Sequence, residues 1–433
     1  MTKESIELTM RELDKYRCVS QALEGLRTVE QVAEVLELSE RQVRRLMAKV
    51  KEAGPAGIIH GNRNRKPSHT IDEATRQQIL QLKEEKYPEA NFLHFMELLE
   101  ERENVVVSYT FVRQFLIDNH IESPKKHKPR KIRRTRKRRC CAGDLVQADA
   151  TSYAWFAWAG DNNLYSLHGF MDDAKSSITG LYMCEHECLF GYLEVTRQML
   201  ENFGIPAELY PDRHSVFFPT KEQKLSIEEE LAHKTTSTTQ FGRIMKELGI
   251  WMHPAYSSEA KGRIERLWET LQSRLPVEFK LRGIKTIEEA NKFLVEEFIP
   301  KFNQKFSVPA ASEENMFVPI QDYMNLDLLL AIRFERIIDR GGTFTYKGHR
   351  FQVLNANILP NARVTIYMSK RIGIVARYKE MSYEVVCIED LPSSYSSLNL
   401  DKHCKEHSAY TRRFIDYVMG YDAKRNRPLL TSE

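Results

Sequence analysis

Apolar residues near the N-terminus recur at helical spacing: Leu13, Tyr16, Cys18, Val19, Ala22 and Leu23 form one stripe that stops at Gly25. Thr28-Val-Glu-Gln31 and Ser39-Glu-Arg-Gln42 each have capping-box form, in which hydroxyl and carboxamide satisfy each other's backbone donors. The helix between them carries Val32, Ala33 and Leu36, and the turn at Glu37-Leu38 is brief. Two short helices so joined predict a helix-turn-helix. Its second helix turns Val43, Leu46 and Val50 inward and leaves Arg41, Gln42, Arg44, Arg45 and Lys49 on other faces. Donors of this kind can read purine edges in a major groove. A solvated helix of a small bundle is the plain alternative, and the paired capping boxes weigh against it. Gly54 to Pro67 reads as a loop with Arg63, Arg65 and Lys66. A second helical unit follows from Thr70 to Ile121. Its last helix opens at Ser108, exposes Tyr109, Thr110, Arg113 and Gln114, and buries Phe111, Val112, Phe115 and Leu116, which predicts a second helix-turn-helix.

From Gly143 the period changes. Asp144 to Thr151 reads as a strand ending near Asp149, and Leu167–Asp173 with Ser177–Met183 as a hairpin turned at Ala174-Lys175. A helix from Leu189 to Phe203 stops at Gly204, and Ala207–Asp212 is a short strand ending in a carboxylate. A helix from Thr239 stops at Gly249, Ile250–His253 is a further strand, and a long helix from Lys261 to Leu275 carries Glu265. That order predicts a mixed α/β sheet with helices on its faces. Residues 311–333 read as helical, with Leu326, Leu328, Leu329 and Ile332. Then 343–353, 362–367, 372–377 and 383–388 predict four strands of a small β-barrel. The division expected is 1–66 and 67–121 for the two helix-turn-helix domains, 122–142 for a linker and 143–310 for the α/β domain. A helical connector (311–341), the barrel (342–392) and a tail (393–433) complete it.

A chain of 433 residues calls for several domains, and its 42% hydrophobic content can supply their cores. No segment approaches the ~20 apolar residues of a membrane helix, and no secretory signal is present, so a cytoplasmic protein without membrane partners is expected. Seven scattered cysteines without a CxxC pair fit a reducing compartment and argue against both a disulfide framework and structural zinc. Cys184-Glu-His-Glu-Cys188 lacks a fourth partner at short spacing and reads as structural, as do His403, Cys404 and His407. The net charge of +4 is small, but residues 124–139 hold eleven Lys or Arg and no acid. Such a run, with Arg130, Lys131, Arg133, Arg134 and Arg136, predicts a linker that orders on phosphate.

Asp149, Asp212 and Glu265 would fall at two strand ends and on an adjoining helix. Acids gathered there repel one another unless a cation joins them, and oxygen donors suit Mg²⁺ or Mn²⁺. Two such ions can activate a hydroxyl and stabilise the leaving oxygen of a phosphodiester. Three acids in a long chain are more often surface charges; their surroundings set these apart. Gln147-Ala-Asp149-Ala-Thr-Ser-Tyr-Ala-Trp155-Phe, Leu209-Tyr-Pro-Asp212-Arg-His-Ser-Val-Phe217 and Ala260-Lys-Gly-Arg-Ile-Glu265-Arg-Leu closely resemble the three DDE motifs of bacterial insertion-sequence transposases of the ISNCY type, in the retroviral-integrase superfamily. The resemblance runs from about residue 10 to 370, through Thr270-Leu-Gln-Ser-Arg274, Leu281-Arg-Gly-Ile284 and Phe302-Asn303.

It implies a ribonuclease-H-like core with Asp149, Asp212 and Glu265 as catalytic metal ligands for two Mg²⁺ or Mn²⁺ ions. It implies hydrolysis at transposon ends, transfer of the freed 3′-hydroxyl to target DNA, and a barrel that touches DNA or a partner subunit. Lys347, His349, Arg350, Lys370, Arg371 and Arg377 would suit the barrel's contact. Lys261, Arg263 and Arg266 beside Glu265 could hold phosphates, or simply solvate the helix. A homodimer or larger assembly on double-stranded DNA, associated with a bacterial nucleoid, follows from the need to join two ends. Two departures stand out: an acidic insert at Ser226–Leu231, and Ser258 where relatives often carry proline. The alternatives are a helix-turn-helix regulator with an inactive integrase-like core, and a general nuclease of the same fold. Asp172 and Asp173 are expected to shape the hairpin turn, Glu269 to form a salt bridge, and Trp155 and Trp251 to be core or core-edge residues.

Overall fold

The computed structural model describes residues 7–60, 62–63, 71–124, 136–219, 238–255, 261–354, 360–388 and 409–419. They fall into two compact units that meet at Leu82 and Lys83 in the sequence. Arg65, Lys66, Arg130, Lys131, Arg133, Arg134, the 226–231 insert, Ser258 and the His403–His407 segment lie outside the described residues. Among the described residues, no helix is long and apolar enough to cross a membrane.

In the N-terminal unit, α1 (Met10–Leu23), α2 (Val29–Leu36) and α3 (Glu40–Ala53) form where the apolar stripes predict, followed by α4 (Glu73–Gln81). Both predicted capping boxes close, and a third, Thr9 with Glu12, opens α1. Glu37 adopts a left-handed φ of 53°, which ends α2 and frees the chain to begin α3 three residues later. Val32, Ala33 and Val43 form one small core and Val19, Val50 and Ile58 another, with Leu36 and Met47 packed on both. Arg41, Gln42, Arg44, Arg45 and Lys49 all face solvent. Arg44 is paired with Glu40 at 2.6 Å, and the Gln42 carboxamide oxygen accepts from the Ser39 amide.

The second unit begins with α5 (Phe92–Glu103) and α6 (Tyr109–Asp118), the latter capped by Ser108 as the sequence predicts. Tyr109, Arg113 and Gln114 are exposed, Val112 and Leu116 are buried, and Phe111 stacks on Phe115. A five-stranded sheet follows in the order β3-β2-β1-β4-β5, from β1 (Leu145–Tyr153), β2 (Tyr165–Asp172), β3 (Ile178–Cys184), β4 (Glu208–Tyr210) and β5 (Trp251–Met252). The first three strands are antiparallel, and β4 and β5 run parallel to β1. The sheet is the predicted one, with a longer first strand. β1 continues four residues beyond Asp149, because pairing with β2 persists to Tyr153 opposite Tyr165.

Strand alternation divides β1 between two cores. Val146 and Ala148 face α7 (Leu189–Asn202) and α8 (Gln240–Glu247), with Tyr192, Val195, Phe241 and Ile244. The opposite face of the sheet, with Leu167, Met171 and Leu181, lies under α9 (Gly262–Arg282), α10 (Ile287–Phe293) and α11 (Ile299–Phe306).

Helix α5 is fastened to α9 by charge. Glu278 of α9 is buried and meets His94 of α5 at 2.9 Å, with Arg282 on its other oxygen. Burial pushes the Glu278 carboxyl up, but His94 and Arg282 outweigh it and hold the group down at about 2, against an ordinary 4.5. A depressed carboxyl stabilises the fold fully above its unfolded value, and that contribution is lost as pH falls from about 4.5 towards 2. Glu278→Gln is therefore expected to lose on the order of 3 kcal/mol at pH 7. The gap from the unaltered protein should shrink steadily as pH falls from about 4.5 towards 2. Denaturant unfolding across this range checks it; a gap independent of pH would contradict it.

The expected helix over 311–333 is corrected. Residues Asn315 and Val318 pair in extended form with Ala142 and Ile205, and only α12 (Leu326–Leu329) is helical there. Ile332–Ile337 is instead β6, the first strand of a six-stranded antiparallel sheet ordered β6-β9-β10-β11-β8-β7. The others are β7 (Thr343–Tyr346), β8 (His349–Val353), β9 (Arg363–Ser369), β10 (Gly373–Tyr378) and β11 (Met381–Cys387). The single predicted strand 343–353 is a hairpin turned at Lys347-Gly348, where both residues have positive φ. Phe334 of β6 stacks on Tyr346 of β7 at 4.0 Å, so the two edges nearly close a barrel, and Phe414 of α13 (Ala409–Val418) packs on Phe351. The barrel's basic residues are largely engaged within the fold. His349 is buried against Phe414, Lys370 pairs with Asp416, Arg371 with Glu194 and Arg350 with Asp339.

Candidate active site

The face of β1 turned towards α9 carries Gln147, Asp149 and Thr151, and α9 runs along it. Gln147 Oε1 accepts from the Ile264 amide at 3.2 Å. Trp268 Nε1 donates to Asp149 Oδ2 at 2.8 Å, and Gln272 Nε2 donates to Thr151 Oγ1 at 3.0 Å. Four helical residues rise about 6 Å and two strand residues about 6.6 Å, so the two periods match and the contact repeats three times. Gly169 lies opposite Asp149 on β2, where a Cβ would come within 2.5 Å of the Trp268 ring. Glycine there is what lets α9 approach. The arrangement fixes the start of α9, and Glu265 falls in its first turn.

Asp149 and Asp212 lie on neighbouring segments of the sheet. β1 and β4 pair in parallel with Gln147 opposite Tyr210, and each aspartate comes two residues further along. Neighbouring strands lie about 4.8 Å apart, so Asp149, within β1, and Asp212, just past the end of β4, lie on adjacent segments of the sheet. Asp212 accepts from the His214 amide at 3.1 Å. The buried Tyr192 hydroxyl donates to Glu187 at 2.7 Å. Burial raises its pKa first, and the charges of Glu187, Asp149 and Asp212 raise it further.

The Asp149 carboxylate already holds a cation. Lys261 Nζ lies 2.8 Å from Oδ1, and Lys261 is only 5% exposed. A buried ammonium requires such a partner. Among the described residues, only His168, Cys184 and Cys188 bring three metal-donor atoms within 4.8 Å of one another; the three carboxylates are spaced more widely. Their donor set is all oxygen, the kind that suits Mg²⁺ or Mn²⁺, and at Asp149 the Lys261 ammonium already occupies one oxygen.

Around this pair lies an arginine network. Asp173 is fully buried and accepts from Gln147 Nε2, the Arg139 amide, Arg263 Nη1 and Arg136. Arg139 also reaches Glu208 at 2.7 Å, and Arg138 donates to Ala174 O and Ser176 Oγ. The end of the basic run is thus tied into the fold by protein carboxylates, which corrects the expectation that phosphate alone orders it. Asp172 shapes the turn as predicted, accepting from the Gly143 and Lys175 amides. Arg266 is exposed, and with Tyr109, Arg113, Arg138, Arg263 and Phe302 it lines a cleft of about 990 Å³. Trp155 is core, with its indole donating to Tyr165 O. Trp251 is not; it is 68% exposed and stacks on His253. Glu269 is exposed.

Gln147, Lys261 as a partner of Asp149, Trp268 and Tyr192 escaped sequence reasoning. Only the repeat of Ile264, Trp268 and Gln272 at four-residue spacing could have hinted at a helix laid on a strand.

Residues 15–77 match the winged helix-turn-helix family. The transposase for insertion sequence IS1202 of Streptococcus pneumoniae is 31% identical over 439 residues, covering 94% of this chain and 89% of that protein. The putative transposase y4bF of Sinorhizobium fredii is 31% identical over 410 residues, covering 94% and 82%. Among solved structures, the HTLV-2 integrase catalytic core in complex with magnesium is 15% identical, covering 36% of this chain and 84% of that one at a TM-score of 0.26. A simian T-cell lymphotropic virus intasome in complex with PP2A regulatory subunit B56 gamma is 14% identical, covering 65% and 92% at a TM-score of 0.29. With near-complete coverage of named relatives at this identity, the chain belongs to the insertion-sequence transposases.

Proposed function

We propose that this transposase binds the terminal inverted repeats of its element, hydrolyses the DNA at the ends and transfers the freed 3′-hydroxyl to target DNA. The reading is carried by one observation: Asp149, within β1, and Asp212, just past the end of β4, each lie two residues beyond the parallel pair Gln147 and Tyr210, with Glu265 in the first turn of the helix laid over β1. Asp149, Asp212 and Glu265 would hold two Mg²⁺ or Mn²⁺ ions, which activate the attacking hydroxyl and stabilise the leaving oxygen.

The protein's own part is positioning. Trp268 fixes one oxygen of Asp149 and Lys261 the other. The ammonium must give up Oδ1 before that oxygen can ligate, and a non-bridging phosphate oxygen of the incoming DNA is its natural new partner. Arg113, Arg266 and the neighbouring cleft would follow the backbone, while Arg41, Gln42, Arg45 and Lys49 of α3 face the groove of the terminal repeat. The exposed Tyr109 and Gln114 would add contacts from α6. Two ends are joined in one event, so the working form is a dimer or larger assembly on DNA, within the bacterial cytoplasm.

A duplex ending in the element's repeat, mixed with the protein and Mn²⁺, should yield a 3′-hydroxyl end that becomes joined to a second duplex. Nicking without joining would mark a nuclease, and binding without nicking a regulator; either result refutes the proposal. Lys261→Met removes the charge that competes for Asp149. The Mn²⁺ concentration for half-maximal nicking is expected to fall by roughly fivefold, about 1 kcal/mol. An unchanged or higher requirement would count against this role for Lys261.

A further inference from the structure

We propose that His168, Cys184 and Cys188 form a second metal site, of the zinc class, that ties β2, β3 and the start of α7 together. Cys184 is the last residue of β3, Cys188 is the N-cap of α7, and His168 lies in β2 one position from Gly169, the partner of Asp149. All three are buried, at 0%, 3% and 0% exposure respectively, and their donor atoms lie within 4.8 Å of one another.

The imidazole is held in one tautomer. Its Nε2 accepts from the Cys188 amide at 3.0 Å, so Nδ1 carries the proton and donates to Tyr182 O at 3.2 Å. A histidine anchored to a carbonyl through Nδ1 has the outer support typical of metal ligands, and its Nε2 would exchange the Cys188 amide for the ion. Gly191 leaves space for this ring, since a Cβ there would come within 2.5 Å of it, and Tyr192 packs edge-on at 4.8 Å.

The sulfurs are placed as well. The Cys184 and Cys188 thiols lie in hydrogen-bond contact with one another, and His168 adjoins Cys188. Metal binding would form two metal–sulfur bonds and one metal–nitrogen bond, and each thiol that still carries a proton would release it to solvent. Two thiolates and an imidazole select a soft or borderline ion such as Zn²⁺, whereas the carboxylates select Mg²⁺ or Mn²⁺. His186, midway between the cysteines in sequence, has a buried Nε2 with no hydrogen-bond partner but stands outside the 4.8 Å cluster. The Cys-x-x-x-Cys spacing hid the site in the sequence, because the third donor comes from another strand. Loss of the ion would loosen the 185–187 loop, where Glu187 holds the Tyr192 hydroxyl.

The test is independent of transposition. The full chain, purified without chelators or metal-affinity resin, should contain about one zinc per molecule by elemental analysis. His168→Asn and Cys188→Ser should reduce that to a small fraction, while Cys140→Ser, at an exposed thiol, should leave it unchanged. If the first two variants fail to fold, Co²⁺ added to the demetallated wild-type chain decides the matter. Thiolate-to-cobalt charge-transfer absorption with tetrahedral bands, abolished by equimolar Zn²⁺ and not by Mg²⁺, is the expected result. Absence of that absorption, zinc content indifferent to the two substitutions, or a Cys184–Cys188 disulfide in the purified protein would overturn the proposal.

Discussion

Asp149→Asn is expected to lower the rate of DNA end cleavage and joining by at least roughly 10³-fold, about 4 kcal/mol in the barrier, while binding of the terminal repeat is retained. The substitution keeps the shape of the side chain and an oxygen that can accept from Trp268 Nε1, so α9 should remain on β1. What it removes is the negative charge that now binds Lys261 and that a divalent ion would need. The helix-turn-helix residues Arg45 and Lys49 belong to the other compact unit, so loss of chemistry and loss of binding should separate. Single-turnover cleavage and a gel-shift titration on the same duplex measure the two. Activity within tenfold of the unaltered protein would remove Asp149 from the catalytic role. Equal loss of binding would make the effect structural.

The second large effect concerns stability. Glu97 of α5 and Arg274 of α9 form a two-pronged ion pair at 2.5 and 3.0 Å, with side chains only 5% and 7% exposed, and Lys305 of α11 lies 3.2 Å from the same carboxylate. Glu97→Ala would strand a buried guanidinium that stacks on Phe306 at 4.8 Å. Removing one partner of such a pair costs roughly 3–5 kcal/mol, far more than an exposed pair would. Chemical denaturation should show the loss, and α5 amides should exchange with solvent faster. The double replacement Glu97→Leu with Arg274→Met should recover much of the stability, because no uncompensated charge remains. A change below about 1 kcal/mol in the single variant would show that α5 is held mainly by apolar contact.

How legible this was depended on how local the determining interactions are. The helix-turn-helix could be read because its caps join residues three apart, as in Thr28 with Gln31 and Ser39 with Gln42. The order of sheet elements was legible for a related reason: short strand-like segments between turns and the longer helical spacing of α7 and α9 differ sharply. Strand β6 was missed because Leu326, Leu328, Leu329, Leu330 and Ile332 form one apolar run, in which a four-residue helix passes into a strand without a break. The three acids were visible as residues, but their supporting partners were not. Lys261 and Trp268 are 112 and 119 positions from Asp149, and no local pattern announces such contacts. The arginines suffered the opposite error. Arg136 and Arg263 look free in sequence, yet both are drawn to Asp173, a carboxylate that seemed to serve only a turn.

The central claim is that Asp149, Asp212 and Glu265 share divalent ions when DNA is bound. Anomalous diffraction at the manganese edge, from crystals of the protein with an uncleaved terminal repeat and Mn²⁺, measures this directly. Manganese peaks ligated jointly by the three carboxylates, with Lys261 withdrawn from Asp149, are the predicted result. Density showing the DNA in place while Lys261 still grips Asp149 and no manganese lies among the three acids would contradict it.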